Sequence, residues 1–295
     1  MKNQRRAMAY GLVTVALWST VASAFKLSLR HMDVAQLLFW SALVSTMVML
    51  AALAIQGRLG LLLSYGRAEW LRALGLGLLN PFVYYLILFK AYDLLPAQEA
   101  QPLNYTWAIT LALLSVPILG QRLSWRDIAA TLVSWGGVLV ISTHGDLAGL
   151  HFASPLGVAC ALASTVIWSL YWLLSTRDHR DPVAGLAMNF LCSLPFCLAW
   201  ACLVSSPLPR SAAGLAGAAY VGLFEMGVTF ITWITALRLA ENTSRVGNLI
   251  FISPFVSLLL IHFLVGEPIL SSTFAGLSCI VAGLILQQTG RRAAA

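Results

Sequence analysis

Ten long stretches almost free of charge recur along the chain, and they decide what it can fold into. They run at about 7–27, 34–56, 71–91, 97–119, 126–143, 154–175, 183–205, 213–236, 243–265 and 271–289. Each has about the length of a helix that crosses a bilayer's hydrocarbon core, roughly 20 residues. In lipid every backbone N–H and C=O must be satisfied within the span, which selects helices over open strands. The third run contains Pro81 and the eighth is broken by Glu225. Only 10% of the 295 residues are charged and 59% are hydrophobic. A globular chain carries about 25% charged residues, so a soluble enzyme is excluded. The expected fold is an all-α integral membrane protein with ten transmembrane helices and no separate extramembrane domain. Basic residues precede the first run, but Met8 to Phe25 holds Trp18 and polar side chains; it reads as a retained span rather than a cleaved leader.

The few cations sort by side. With the N-terminus in the cytoplasm, Lys2, Arg5, Arg6, Arg58, Arg67, Arg72, Arg122, Arg126, Arg177, Arg180, Arg238, Arg245, Arg291 and Arg292 fall inside, and Lys26, Arg30, Lys90 and Arg210 fall outside. That split is 14 to 4 of the 18 Lys and Arg. Cytoplasmic loops carry the excess of cations, so the tally favours ten spans with both termini cytoplasmic, in a bacterial plasma membrane. Nine or eleven spans put the termini on opposite sides. The acids divide five and five and leave Glu225 in mid-span. Topology thus accounts for the net charge of +7, and no nucleic-acid partner is expected. Five cysteines, Cys160, Cys192, Cys197, Cys202 and Cys279, all lie in apolar runs; an odd number so placed reads as buried small hydrophobes, not disulfides or zinc ligands.

An internal repeat divides the ten runs. Thr14-Val15-Ala16-Leu17-Trp18-Ser19 returns as Ser164-Thr165-Val166-Ile167-Trp168-Ser169 at an offset of 150. Ala73-x-x-x-Gly77 returns as Ala218-x-x-x-Gly222, and Gly120-Gln121-Arg122-Leu123 as Gly266-Glu267-Pro268-Ile269, at offsets of 145 and 146. The expected units are therefore 7–143 and 154–290, five spans each. Because five is odd, the second half enters the membrane inverted relative to the first. Inverted repeats are a recurrent plan of secondary transporters, in which two similar halves exchange conformations to open one side and then the other.

These features, a Trp-Ser in each half's first helix and a Gly-Glu-x-x step after the fourth helix of a half, resemble the drug/metabolite transporter superfamily, specifically its ten-helix EamA-type branch. The resemblance covers residues 7 to 290. Gln121 departs from Glu267 in the other half, and Trp107-Ala108 from Ser253-Pro254. The aromatic-rich stretch from Asn80 to Trp107 is most similar to bacterial aromatic amino acid exporters. That likeness implies small-molecule substrates such as phenylalanine, tyrosine and tryptophan, with other neutral amino acids.

Polar residues inside apolar helices locate a pathway, since facing lipid leaves them without partners. Glu225 is the sharpest. A carboxylate there is costly unless paired, hydrated or protonated, and it reads as a counter-ion for a substrate amine, as a proton site, or as a neutral structural acid. The repeat sets Asn80 at its counterpart position, as a polar pair across the twofold axis. Asn80 and Tyr84 share a face beside Pro81; Gln98, Gln101, Asn104 and Tyr105 form a polar stripe interrupted by Pro102, with Trp107 one turn on. Trp18 and Trp168 are expected to face each other across the cavity, with Tyr171 continuing that face. Thr229 and Trp233 follow Glu225 at four-residue steps, and Asn248 and Phe251 approach from the ninth helix. In the proposal that follows from the resemblance, Trp18, Tyr84, Trp107 and Trp168 enclose the side chain while Asn80, Asn104, Glu225 and Asn248 hold the ammonium and carboxylate.

Gly214, Ala218 and Gly222 make a small-residue track suited to close helix packing. No phosphate-binding loop, His-Glu-x-x-His or carboxylate pair at helical spacing occurs, and four of the five histidines lie in loops. No cofactor, metal or catalytic residue is expected. A drug, nucleoside or sugar conjugate remains an alternative cargo on the same fold; an integral-membrane transferase lacks its nucleophile or metal set. Nothing in the sequence sets an oligomeric state, and a monomer is compatible with the repeat.

Overall fold

A computed structural model describes residues 2–120, 124–146, 154–209 and 211–293, without the side chains of 243, 244 and 287–293. Gln121, Arg122, Leu123, His151 and Arg210 therefore lie outside the described residues. Among the described residues ten long helices run in order: α1 Gln4–Leu29, α2 Val34–Ile55, α3 Arg67–Leu94, α4 Ala97–Leu119, α5 Trp125–Ser142, α6 Pro155–Ser175, α7 Pro182–Val204, α8 Ala212–Leu239, α9 Arg245–Val265 and α10 Ser271–Ala293, with one short turn of helix at Gly60–Ser64 between α2 and α3. All but α5 and α10 are individually long and apolar enough to cross a membrane. Those two pack along each other and complete the ten.

Local chemistry sets the boundaries. Asn3, Asp33, Ser124, Ser154, Asp181 and Ser211 each cap a helix by accepting from backbone N–H groups of its first turn, leaving fewer orphan donors there. Pro155 and Pro182 stand at first-turn positions where no N–H is missed. Helices α4 and α9 both stop at a left-handed glycine, Gly120 (φ 67°) and Gly266 (φ 82°), which explains the glycine of the repeated Gly-Gln and Gly-Glu steps. Helix α3 begins at Arg67, four residues before the apolar run, because its first turn is polar and hydropathy does not register it.

Packing obeys the repeat. Helix α1 lies against α8 and α9 as α6 lies against α3 and α4; α2 meets α8 as α7 meets α3. The pairs α2–α7 and α5–α10 join a helix to its own counterpart. Both are what a pseudo-twofold axis between two inverted five-helix units demands.

Four helices are broken, at related places. Helix α3 widens at Leu78–Val83, where Asn80 (φ −144°, ψ 117°) leaves helical geometry beside Pro81, and α8 widens at Val221–Glu225. Helix α4 turns at Thr106, and α9 tightens at Asn248–Ile252. Wide turns and discontinuous helices in membrane bundles border cavities and binding sites, because freed backbone groups need polar surroundings.

Candidate functional site

The breaks converge on a cavity of about 90 Å³ between the two halves. Helix α1 contributes Trp18, Val21, Ala22 and Phe25; α3 contributes Tyr84, Leu88 and Tyr92; α4 contributes Gln101, Asn104, Tyr105 and Trp107. Trp168 of α6, Glu225 and Phe230 of α8, and Ile250 of α9 complete the wall.

Glu225 sits at the wide turn of α8. Its Oε1 accepts from the Tyr85 hydroxyl at 3.0 Å, Trp18 is the other side chain that approaches its carboxyl, and Oε2 has no partner. A carboxylate oxygen left open in an aromatic enclosure carries acceptor capacity for a solute. Asn104 donates to Ser164 Oγ at 2.9 Å and stands beside the Tyr84 hydroxyl. Tyr84 and Trp168 stack with ring centroids 4.6 Å apart, tilted by 30°, and Phe230 meets Trp168 edge-on at 6.0 Å. These contacts hold the aromatic wall in place.

Eight of the twelve residues read from the sequence line this cavity: Trp18, Tyr84, Gln101, Asn104, Tyr105, Trp107, Trp168 and Glu225. The other four are placed elsewhere. Asn80 is wholly buried behind the wall, at the break in α3, beside the Tyr171 hydroxyl; it does not pair with Glu225, whose partner is Tyr85. Tyr171 points into a second cavity. The Thr229 hydroxyl donates to the carbonyls of Phe224 and Glu225, at the break in α8, and does not line this cavity. Asn248 is exposed nearer the start of α9, and Ile250 takes the cavity position. Gln98, the first member of the polar stripe, is bound to Pro268 O and Leu270 N.

Tyr85, Phe25, Tyr92 and Phe230 were not singled out in the sequence. A signal existed for two of them: Tyr84, Leu88 and Tyr92 recur at four-residue steps, and Phe25 lies seven residues after Trp18. Tyr85 gave none, because its role depends on α8 meeting α3 at that height.

The two ends of the bundle differ. At the cation-poor end, Glu267 Oε1 and Oε2 accept from Ala97 N and Gln98 N at 3.0 and 3.1 Å, so one half caps a helix of the other with a carboxylate, favoured at a helix N-terminus. Lys26 Nζ donates to Tyr92 O and Leu95 O at 2.8 and 2.7 Å. At the cation-rich end, Arg180 Nη2 pairs with Asp178 at 2.6 Å and with Asn189 Oδ1 at 2.9 Å, and Arg58 pairs with Asp181 at 2.6 Å.

Burial pushes the Asp178 carboxyl up, but the bonds from Arg180 outweigh it and hold it below the usual carboxylate range. Asp181 is held low in the same way, with burial opposed by the Ala184 N–H and Arg58, then by the Val183 N–H. A carboxyl whose folded pKa is depressed adds stability that is complete above its unfolded pKa and lost as pH falls through the folded value. The 176–181 connection is therefore expected to keep its amide protection from pH 8 down to 5 and to lose it below about pH 4, the ordinary carboxylate range. Hydrogen exchange, corrected for intrinsic rates, checks this, and Asp178→Asn should abolish most of the acid-induced loss. Protection that falls between pH 5 and 8 contradicts the assignment.

The profile of the EamA-like transporter family matches residues 5–143 and 155–287. The chain is 29% identical over 266 residues to an aromatic amino acid exporter, YddG, of Ancylobacter novellus, covering 86% of this chain and 87% of that protein. It is 27% identical over 291 residues to a probable terminal-alkyne amino-acid exporter of Streptantibioticus cattleyicolor, covering 95% and 94%. A solved crystal structure superposes with a TM-score of 0.70 at 23% identity, over 99% of this chain and all of that one, a likeness of fold alone. With ten membrane helices in two related halves, both matched by the family profile, this multi-pass membrane protein belongs to the EamA-like transporter family.

Proposed function

We propose that this transporter exports neutral, chiefly aromatic, amino acids across the bacterial inner membrane by alternating access of the 7–143 and 154–290 halves. The observation that carries the reading is the central cavity, in which eight aromatic side chains from both halves surround three polar groups, Gln101, Asn104 and Glu225. The amino acid export named for the Ancylobacter and Streptantibioticus relatives points the same way. The cation-rich end and both termini lie in the cytoplasm, as the distribution of Lys and Arg favours.

In this reading Trp18, Tyr84, Trp107 and Trp168 enclose the solute's side chain, the free oxygen of Glu225 takes its ammonium, and Asn104 with Gln101 takes its carboxylate. Tyr105 closes the floor near Ser253. Thr229 keeps the α8 break in shape. At about 90 Å³ the cavity is far below the roughly 300–1,000 Å³ of pockets for drug-sized ligands; it suits a small solute. In this reading, release to the outside parts the Glu267 cap on α4, which joins the two halves at the cation-poor end. Export down the cell's own gradient needs no coupling ion.

Purified protein in proteoliposomes tests the cargo directly. Labelled phenylalanine should move faster than into empty vesicles and be competed by tryptophan, with a nucleoside and a cationic drug as comparison solutes. Flux of the nucleoside or drug alone reassigns the cargo on the same fold. Absence of amino acid flux overturns the reading.

A further inference from the structure

The central cavity is not the only one within the cation-rich half of the bundle. Between α6, the 176–181 connection, α7 and α8 lies a space of about 230 Å³. Phe230 lines both this space and the central cavity, and Trp168 of the central wall packs against Tyr171 and Trp172 of the second. The walls are Tyr171 and Trp172 of α6, with Phe230 and Ile234 opposite; its polar side is made by Ser175, Asp178, Arg180 and Asn189.

That polar side has unspent capacity. The Arg180 side chain is 2% exposed. Its Nε and Nη2 are engaged by Asp178 and Asn189, whereas Nη1 reaches only Glu69 O at 3.5 Å and Met188 Sδ at 3.7 Å. Ser175 Oγ is buried beside the Tyr171 hydroxyl and makes no hydrogen bond of ordinary geometry. Buried polar atoms without partners are costly and call for a ligand or ordered water. Asp178 and Arg180 together are net neutral, one acceptor group and one donor group side by side. A site of that kind matches a zwitterion better than an anion or a cation, with Arg180 Nη1 taking carboxylate and Asp178 taking ammonium.

We propose that this cavity is a second binding site, a cytoplasmic loading site for a zwitterionic aromatic amino acid, which passes to the central cavity when the Phe230 ring swings aside. The inference rests on the amino acid reading above and deepens it.

Gly185 offers a clean test. It lines the cavity, and a Cβ there meets Arg180 atoms at 3.6 Å, an ordinary contact. Gly185→Leu therefore fills the space while leaving the central cavity untouched, and leucine is the better helix former. Equilibrium binding of labelled phenylalanine to protein in nanodiscs should give two per chain for the parent and one for Gly185→Leu; Asn104→Ala should remove the other. Phenethylamine and 3-phenylpropionate, each lacking one charged group, should compete at the loading site at least tenfold more weakly than phenylalanine. One phenylalanine per chain, unaltered by Gly185→Leu, overturns the second site and leaves the amino acid reading standing. No phenylalanine bound by any form overturns both. A well-folded Gly185→Leu that keeps two sites also overturns the proposal.

Discussion

Glu225→Gln lowers the initial rate of phenylalanine flux in proteoliposomes by about tenfold or more and flattens its dependence on pH between 5 and 8. The magnitude follows from the contact it removes: a hydrogen bond to a charged group contributes about 1.5–3 kcal/mol, and each 1.4 kcal/mol is tenfold in an equilibrium constant. Glutamine keeps the volume of the side chain and still accepts from the Tyr85 hydroxyl, now bonded to Oε1 at 3.0 Å. The wide turn of α8 and the aromatic wall therefore persist, and the change isolates the charge and the ability to bind a proton. Tyr85→Phe is the companion variant. It leaves the charge in place and removes the bond that aims it, so a smaller loss, about threefold, with the pH profile retained is expected from one neutral hydrogen bond of about 0.5–1.5 kcal/mol. Unchanged flux and an unchanged profile in Glu225→Gln return this residue to a structural role.

Much of this is legible in the sequence. Charge-free runs gave the helix count because lipid admits few charges, and the offset of 145–150 residues between Trp18 and Trp168, or Gly120 and Gly266, gave the halves. Glu225 stood out for the same reason the helices did: a carboxylate is conspicuous where little else is charged. What sequence could not supply was depth and facing across helices. Thr229 lies on the Glu225 face by spacing, yet the break at Val221–Glu225 turns its hydroxyl onto the carbonyls that the break sets free. Asn80 is the repeat counterpart of Glu225, but the break in α3 buries it near Tyr171. Helical spacing predicts neighbours only where the helix is regular, and this site is built where the helices are not.

The ends of the bundle were legible in part. The Gly-Glu step looked like a motif without a task; the structure gives both residues one, Gly266 to stop α9 and Glu267 to cap α4 of the other half. Arg180 was counted only as one of the cytoplasmic cations. Its burial against Asp178 and Asn189 depends on the path of a six-residue connection, and no pattern of residue types announces it.

The second large effect is expected at a seam that touches neither cavity. Helices α5 and α10 meet along glycines: a Cβ on Gly137 would lie 2.5 Å from Gly276 O and 2.9 Å from Ile280 Cγ1, and one on Gly276 would lie 2.6 Å from Gly137 O. The clash is with backbone, so no rotamer relieves it, and the helices must part. In a membrane, helix pairs are held chiefly by close van der Waals contact, without the solvent-driven term available in water; parting them forfeits the contact along the whole seam. Gly137→Leu is expected to cost about 1–3 kcal/mol or more, seen as a lower melting temperature in detergent and loss of monodisperse protein. Gly136, the preceding residue, has no atom within 4 Å of its would-be Cβ, and Gly136→Leu should leave the melting temperature unchanged or raise it, because leucine replaces a poor helix former. Equal effects at the two positions would mean that helix propensity, not the α5–α10 contact, sets the outcome. A loss confined to Gly137→Leu locates the stability of the fold in the pair of helices that lie on the twofold axis and contribute nothing to the wall of either cavity, which leaves the broken helices α3, α4, α8 and α9 free to move against them.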